Sequence, residues 1–152
     1  MTPSLHFEIP GVPVAQPRAR ATTAGSGHAR LYEAGKGHSI HDYKAALRLA
    51  ASAKFTGEPL TEPLSLSVQF VFPRPKRLQR KRDPAWRLPK PDKPDADNLL
   101  KAVMDALNQV VWADDRQIFQ VSNLSKWYTA VGEAPRTVVM VSPHPPGGGE
   151  SR

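Results

Sequence analysis

At 152 residues, with a net charge of +7 and a pI near 10.0, the chain is sized for one domain with a hydrophobic core and charged to meet an anionic polymer. It contains no cysteine, which excludes a disulfide framework and a thiolate zinc site. No run approaches the roughly 18 apolar residues of a membrane span. The N-terminus MTPSLHFEIP has neither a basic n-region nor an apolar h-region, so the expected setting is cytoplasmic, without a membrane partner.

In chain order, Leu5, Phe7 and Ile9 alternate with polar neighbours and predict a short strand ending at Pro10-Gly11. Residues 10–39 carry prolines, glycines and scattered cations without a clear period and read as loop or weakly ordered strand. From about His41 to Lys54 the spacing of Tyr43, Ala46, Leu47 and Ala50 is i, i+3, i+4, i+7, which predicts an amphipathic helix followed by Gly57. Leu64 to Phe72 alternates cleanly as a strand, and Pro73 ends it.

Pro73 to Pro94 holds nine basic residues against Asp83 and Asp92, so this segment alone carries +7 and the other 130 residues are neutral. Prolines keep such a segment extended, and a cationic run of this kind suits a phosphate backbone. The candidate DNA contacts here are Arg74, Lys76, Arg77, Arg80, Lys81, Arg82 and Arg87, with Trp86 placed to stack on an exposed base. Arg18 and Arg20 form a sparser second group. The plain alternative is a solvated loop.

A helix is predicted next, N-capped by Asp97 and running to about Gln109, with Leu99, Leu100, Val103, Met104 and Leu107 on its apolar face. Asp105 falls on the polar stripe as a partner for Lys101 or Asn108. Ile118–Tyr128 and Thr137–Ser142 read as two further strands joined near Gly132-Glu133, with Trp112 and Trp127 expected in the core or at an interface. The order β–α–β–(basic loop)–α–β–β predicts an α+β domain on a mixed sheet with two main helices, spanning 1–142, with 73–94 as a basic Pro-rich loop and 143–152 as a disordered tail.

The chemistry concentrates in Asp95-Ala96-Asp97-Asn98-Leu99-Leu100-Lys101 and in Asp114-Asp115 beyond the helix. Aspartate oxygens are hard ligands suited to Mg²⁺ or Mn²⁺. In a basic chain such a cluster points to metal-assisted phosphodiester chemistry on nucleic acid. The intervening helix rises roughly 18 Å, so a tight return at Val110–Ala113 is needed to bring Asp114 or Asp115 back to the helix start. Read without metal, the same residues are a capped helix, an i,i+4 Asp–Lys surface pair and an acidic turn.

The run from Lys93-Pro94-Asp95 through Lys101 and Asp105 to Val111-Trp112-Ala113-Asp114-Asp115-Arg116-Gln117-Ile118 resembles the signature of the RusA family of Holliday-junction resolvases. The match covers about residues 93–118, with weaker agreement at Pro10-Gly11-Val12-Pro13 and Arg18/Arg20. The resemblance implies an α+β homodimer that cuts two opposed strands of a DNA four-way junction in recombination and repair. By motif position it implies Asp95, Asp97 and Asp115 as Mg²⁺ ligands, these three with Lys101 as the catalytic set, and Asp114 as an accessory group. Two alternatives stand beside it: another metal-dependent branched-DNA nuclease, and a basic DNA-binding module without catalysis.

Overall fold

The computed structural model describes residues 3–17, 20–23, 29–32 and 39–144. Its framework is a five-stranded sheet of order β1-β7-β4-β6-β5. These strands are β1 (Leu5–Pro10), β4 (Leu64–Phe72), β5 (Leu88–Pro89), β6 (Ile118–Tyr128) and β7 (Arg136–Pro143). Strands β2 (Arg20–Thr23) and β3 (Ala29–Tyr32) pair antiparallel as a separate two-stranded sheet, in a stretch whose sequence shows no period. Helices α1 (Ser39–Lys54) and α2 (Ala96–Leu107) complete a mixed α+β architecture.

β4 is the middle strand because its alternation is the cleanest. Leu64, Leu66, Val68 and Phe70 are fully buried, with serine and glutamine between them on the other face. β7 joins it antiparallel and adds Val139 and Val141 to the same core. β6 joins it in parallel from Leu64↔Ile118 to Phe72↔Tyr128. A parallel neighbour requires a crossover, and α2 supplies it. On α2, Leu99, Ala102, Val103, Ala106 and Leu107 are buried, while Leu100 and Met104, expected on the same face, are half-buried at its flank.

α1 packs against α2 and β1 through Ile40, Tyr43, Leu47 and Ala51. The Tyr43 hydroxyl shares a buried 2.6 Å hydrogen bond with Thr137 Oγ1, and burial raises its pKa far above the ordinary value. Asp105 pairs with Lys44 of α1 at 3.6 Å, not with Lys101 or Asn108. Arg48 Nε donates to Ala106 O at 3.2 Å, so polar contacts as well as apolar ones join the helices.

Three boundaries differ from the sequence reading. α2 begins one residue after Asp95, which occupies the cap position without a side-chain capping bond; Asp97 therefore sits in the first turn and is not the cap. The helix ends at Leu107 because Asn108 turns extended and Gln109 takes a left-handed φ of 66°. β7 runs to Pro143, and His144 N–H donates to Pro63 O at 2.9 Å, so both residues belong to the folded body. The rest of the expected tail, 145–152, lies outside the described residues. Among the described residues no helix is long and apolar enough to cross a membrane.

Candidate active site and nucleic-acid surface

Asp95 and Asp97 open α2 as exposed side chains, where the unpaired N–H groups and the macrodipole favour negative charge. Asp97 Oδ1 accepts from Asn98 N–H at 2.9 Å. Lys101 follows Asp97 by one turn and is exposed. The chain entering this helix is tied down by residues that the motif does not contain. Lys126 Nζ donates to Asp92 O at 2.7 Å and to Pro94 O at 2.8 Å. The Tyr128 hydroxyl donates to the Asp92 carboxylate at 2.9 Å, and Lys90 Nζ lies 2.8 Å from Asp92 Oδ1. Those bonds from Lys90 and Tyr128 hold the Asp92 carboxyl down at a pKa of about 2. Lys90 also stands over the rings of Phe72 and Tyr128, at 5.1 and 4.9 Å. No local sequence signal finds the Lys126 and Tyr128 partners, because they are more than thirty residues away along the chain.

Asp115 is set differently. Its Oδ1 accepts from Nε1 of Trp112 at 2.8 Å, and Trp112 is fully buried. A rigid core residue thus aims a half-buried carboxylate outward and leaves Oδ2 for another partner. Asp114 caps the 3-10 turn Asp115–Gln117. Its side chain accepts from Arg116 N–H at 2.9 Å, and Gln117 returns a bond to Asp114 N–H at 2.8 Å. Gln117 also donates to Leu60 O and Glu62 O, which pins the turn to the start of β4. Asp114 is a structural cap here, ion-paired with Arg116 at 3.5 Å.

The expected return of Asp115 to the helix start does not occur within one chain. The turn after α2 comes at the helix's C-terminal end, and β6 then runs back alongside it. Asp115 precedes Ile118 at one end of β6, while Lys126, near the other end, holds the segment entering Asp95. Eight residues of strand between them span about 26 Å. Among the described residues no three His, Cys, Asp or Glu side chains stand together to hold a metal ion. The donors have the right chemistry for Mg²⁺ or Mn²⁺; Asp95 and Asp97 lie at the start of α2 and Asp115 at the turn before β6.

The basic segment is a built surface, with a 3-10 turn at Lys76–Leu78, and Arg74 is its internal brace. At 8% exposure, Arg74 donates to Thr129 O at 2.9 Å, Leu78 O at 3.3 Å, Pro84 O at 2.6 Å and Trp86 O. Its guanidinium is taken up by backbone carbonyls and braces the segment from within. Arg87 is likewise engaged, with Glu133 and with Gln69 Oε1 at 3.0 Å. The Arg87 bonds, first among several, lower the Glu133 carboxyl to a pKa of about 2. Arg80 pairs with Asp83 at 3.1 Å and Arg77 with Asp92 at 3.6 Å, both on the surface. Lys76, Lys81 and Arg82 are exposed, and so is Trp86, at 70%. Arg18 lies outside the described residues, and Arg20 is placed by its backbone in β2.

A basic α+β chain with hard carboxylates at a helix start and at a braced turn carries the groups that metal-assisted phosphodiester chemistry uses. A family model for the endodeoxyribonuclease RusA matches residues 10–142, and the chain belongs to that family of DNA nucleases. It is also 33% identical over 142 residues to the protein YqaN of Bacillus subtilis (strain 168), described as uncharacterized, across 90% of this chain and 94% of that one. Nucleases of the RusA family are generally dependent on a divalent metal.

Proposed function

We propose that this protein is a Mg²⁺-dependent endonuclease that resolves DNA four-way junctions by paired incisions, working as a homodimer whose active sites are each completed across the subunit interface. The carrying observation is the separation of Asp95/Asp97 from Asp115 at opposite ends of β6 in a chain of this nuclease family. Each chain would supply the Asp95/Asp97 pair to one site and Asp115 to the other. Asp95 and Asp97 with Asp115 would hold a divalent cation, which when bound would supply polarisation of a phosphate oxygen and a lowered pKa for a water.

The chain's own groups then divide the remaining work. Lys101, one turn from Asp97, offsets charge that develops on the phosphate in the transition state. Trp112 fixes the direction of the Asp115 carboxylate, and Lys126 with Asp92 fixes the entry to α2. Lys76, Arg77, Arg80, Lys81 and Arg82 supply charge for the arms of the junction, and Arg18 and Arg20 are further candidate contacts. Trp86, exposed between the two braced arginines, offers a ring to an unstacked base at the branch.

The test is a synthetic four-way junction and a matched linear duplex, each incubated with and without Mg²⁺ and resolved on a denaturing gel. Symmetric cuts in two opposed strands, with Mg²⁺ only and on the junction only, are expected. Binding that ignores Mg²⁺, with no incision of any DNA form, reduces the protein to a binding module. Equal cutting of the duplex removes the junction preference.

A further inference from the structure

Asp92 places one carboxylate among donors that suit a phosphate equally well. Lys90 Nζ lies 2.8 Å from its Oδ1, the Tyr128 hydroxyl donates to it at 2.9 Å, and Arg77 Nη2 stands 3.6 Å from its Oδ2. Arg77 also donates to the Tyr128 hydroxyl at 3.4 Å. Two cations thus face one anion, and the cluster keeps a net positive charge. It is open to solvent on one side, where the Asp92 and Arg77 side chains are exposed to 51% and 65%.

The recess does not depend on the carboxylate that fills it. The Lys90 side chain is nearly buried, its ammonium stands over the rings of Phe72 and Tyr128, and its N–H donates to Lys126 O at 3.1 Å. Tyr128 is buried and pairs with Leu88 between β6 and β5. The main chain of Asp92 is held by a separate bond, from Lys126 Nζ to Asp92 O. The carboxylate can therefore turn out to solvent about its own side-chain bonds and leave Lys90, Tyr128 and the entry to α2 in place.

We propose that this recess is a docking site for one backbone phosphate of DNA, and that the Asp92 carboxylate occupies it until the phosphate displaces it. This rests on the nuclease reading above and names a phosphate contact beside its proposed metal site. A carboxylate and a phosphodiester each spread one negative charge over two outward oxygens, so ammonium, guanidinium and phenol hydroxyl serve either. What differs is the exchange. An exposed ion pair stabilises little, whereas a DNA phosphate releases condensed counterions when it is neutralised. Asp92 precedes Asp95 by three residues, a reach of at most about 11 Å. A phosphate held here is therefore close to the one presented to Asp95 and Asp97, and not on a remote arm. Asp83, the other acid of the basic segment, is no such stand-in. It accepts from both the main chain and the side chain of Arg80 and is only 10% exposed, which makes it a turn lock.

The test is affinity for a metal-free four-way junction, read by fluorescence anisotropy at fixed ionic strength. Asp92→Asn should bind at least fivefold tighter than wild type, and Asp83→Asn less than twofold tighter. Removing a negative charge anywhere on the surface helps DNA binding, so the deciding readout is coupling between neighbours. Lys90→Gln removes the ammonium, and Tyr128→Phe removes the hydroxyl but keeps the ring. The gain from Asp92→Asn should fall below twofold in the Lys90→Gln background and be at least halved in the Tyr128→Phe background. If Lys90→Gln does not fold, Tyr128→Phe decides alone. An undiminished gain in these backgrounds, or a gain no larger than that of Asp83→Asn, overturns the site. Denaturant unfolding is measured beside binding. Lost stability in Asp92→Asn without a gain in affinity makes the carboxylate a counter-ion of Lys90 and overturns the site as well. Incision with Mg²⁺ is scored separately. Coupled binding by a protein that cuts no DNA keeps the phosphate site and sinks the nuclease reading, and junction cutting without the coupling does the reverse.

Discussion

At the scale of single residues, Trp112 ties the core to Asp115 of the proposed site through one hydrogen bond. Its indole ring is core, but its Nε1–H is the donor that orients Asp115. Trp112→Phe keeps an aromatic ring in the core and deletes that donor. Cleavage by Trp112→Phe should fall at least about tenfold, equivalent to roughly 1.4 kcal/mol of transition-state stabilisation, while junction affinity without metal stays unchanged. Asp95→Asn, Asp97→Asn and Asp115→Asn should each abolish cutting and leave binding equal or tighter, since removing a carboxylate also relieves its repulsion of phosphate. Single-turnover cleavage beside a metal-free binding titration checks both claims, and wild-type rates in any Asp variant would remove that residue from the proposed set. The resemblance singled out Asp95, Asp97 and Asp115 as candidates by motif position. It did not reveal the Trp112–Asp115 bond, because a buried tryptophan reads as packing whether or not its N–H has a task.

Among the elements, β4 was the most legible and the basic segment, with the short β5 inside it, the least. β4 stands out because period-two alternation reports burial directly; its observed bounds and those of β6, which lacks that alternation, coincide with the reading from sequence. Pro73–Pro94 was legible only as charge. Composition counts Arg74 and Lys81 alike, but one is buried under four carbonyls and the other faces solvent. The two therefore predict opposite phenotypes. Arg74→Ala strips a charged donor from Thr129 O, Leu78 O, Pro84 O and Trp86 O and should cost about 2–4 kcal/mol in denaturant unfolding. Neutralising Lys76, Lys81 and Arg82 together should leave unfolding unchanged. It should flatten the salt dependence of DNA binding by about 0.9 in log–log slope for each phosphate that the protein no longer neutralises. An unchanged slope would place the DNA elsewhere on the molecule.

Acid stability belongs to the same braced segment, through Glu133. Its carboxyl titrates near 2 in the folded chain against an ordinary 4.5, held there chiefly by the Arg87 bonds and then by Ala130 N–H and Arg136. A depressed folded pKa gives stabilisation that is fully present above about pH 4.5 and is lost as pH falls toward 2. Glu133→Gln should therefore lower stability at pH 7 and show a shallower decline between pH 4.5 and 2 than wild type. Thermal melts of both proteins across that range check the difference, and parallel curves would remove Glu133 from the acid limb.

At the scale of the whole molecule, the fold turns a linear motif into a spatial division. α2 and β6 run in opposite directions, so residues about twenty positions apart in sequence end at opposite ends of the sheet. A motif read along one chain assumes closure within that chain, and for this reason the division was not legible in it. Subunit mixing tests the proposed closure between chains. Asp97→Asn and Asp115→Asn protomers, each dead as homodimers, are co-expressed with different tags and the heterodimer is purified through both. If each site combines Asp95/Asp97 from one subunit with Asp115 from the other, one site of the heterodimer carries both substitutions and its companion carries neither. The heterodimer should then nick one strand of a junction at about half the wild-type incision rate and yield few resolved duplexes, because the second cut has no site. If each site were built within one chain, both would contain a lesion and the heterodimer would be as inert as its parents. The ratio of nicked to resolved product on native and denaturing gels separates these outcomes.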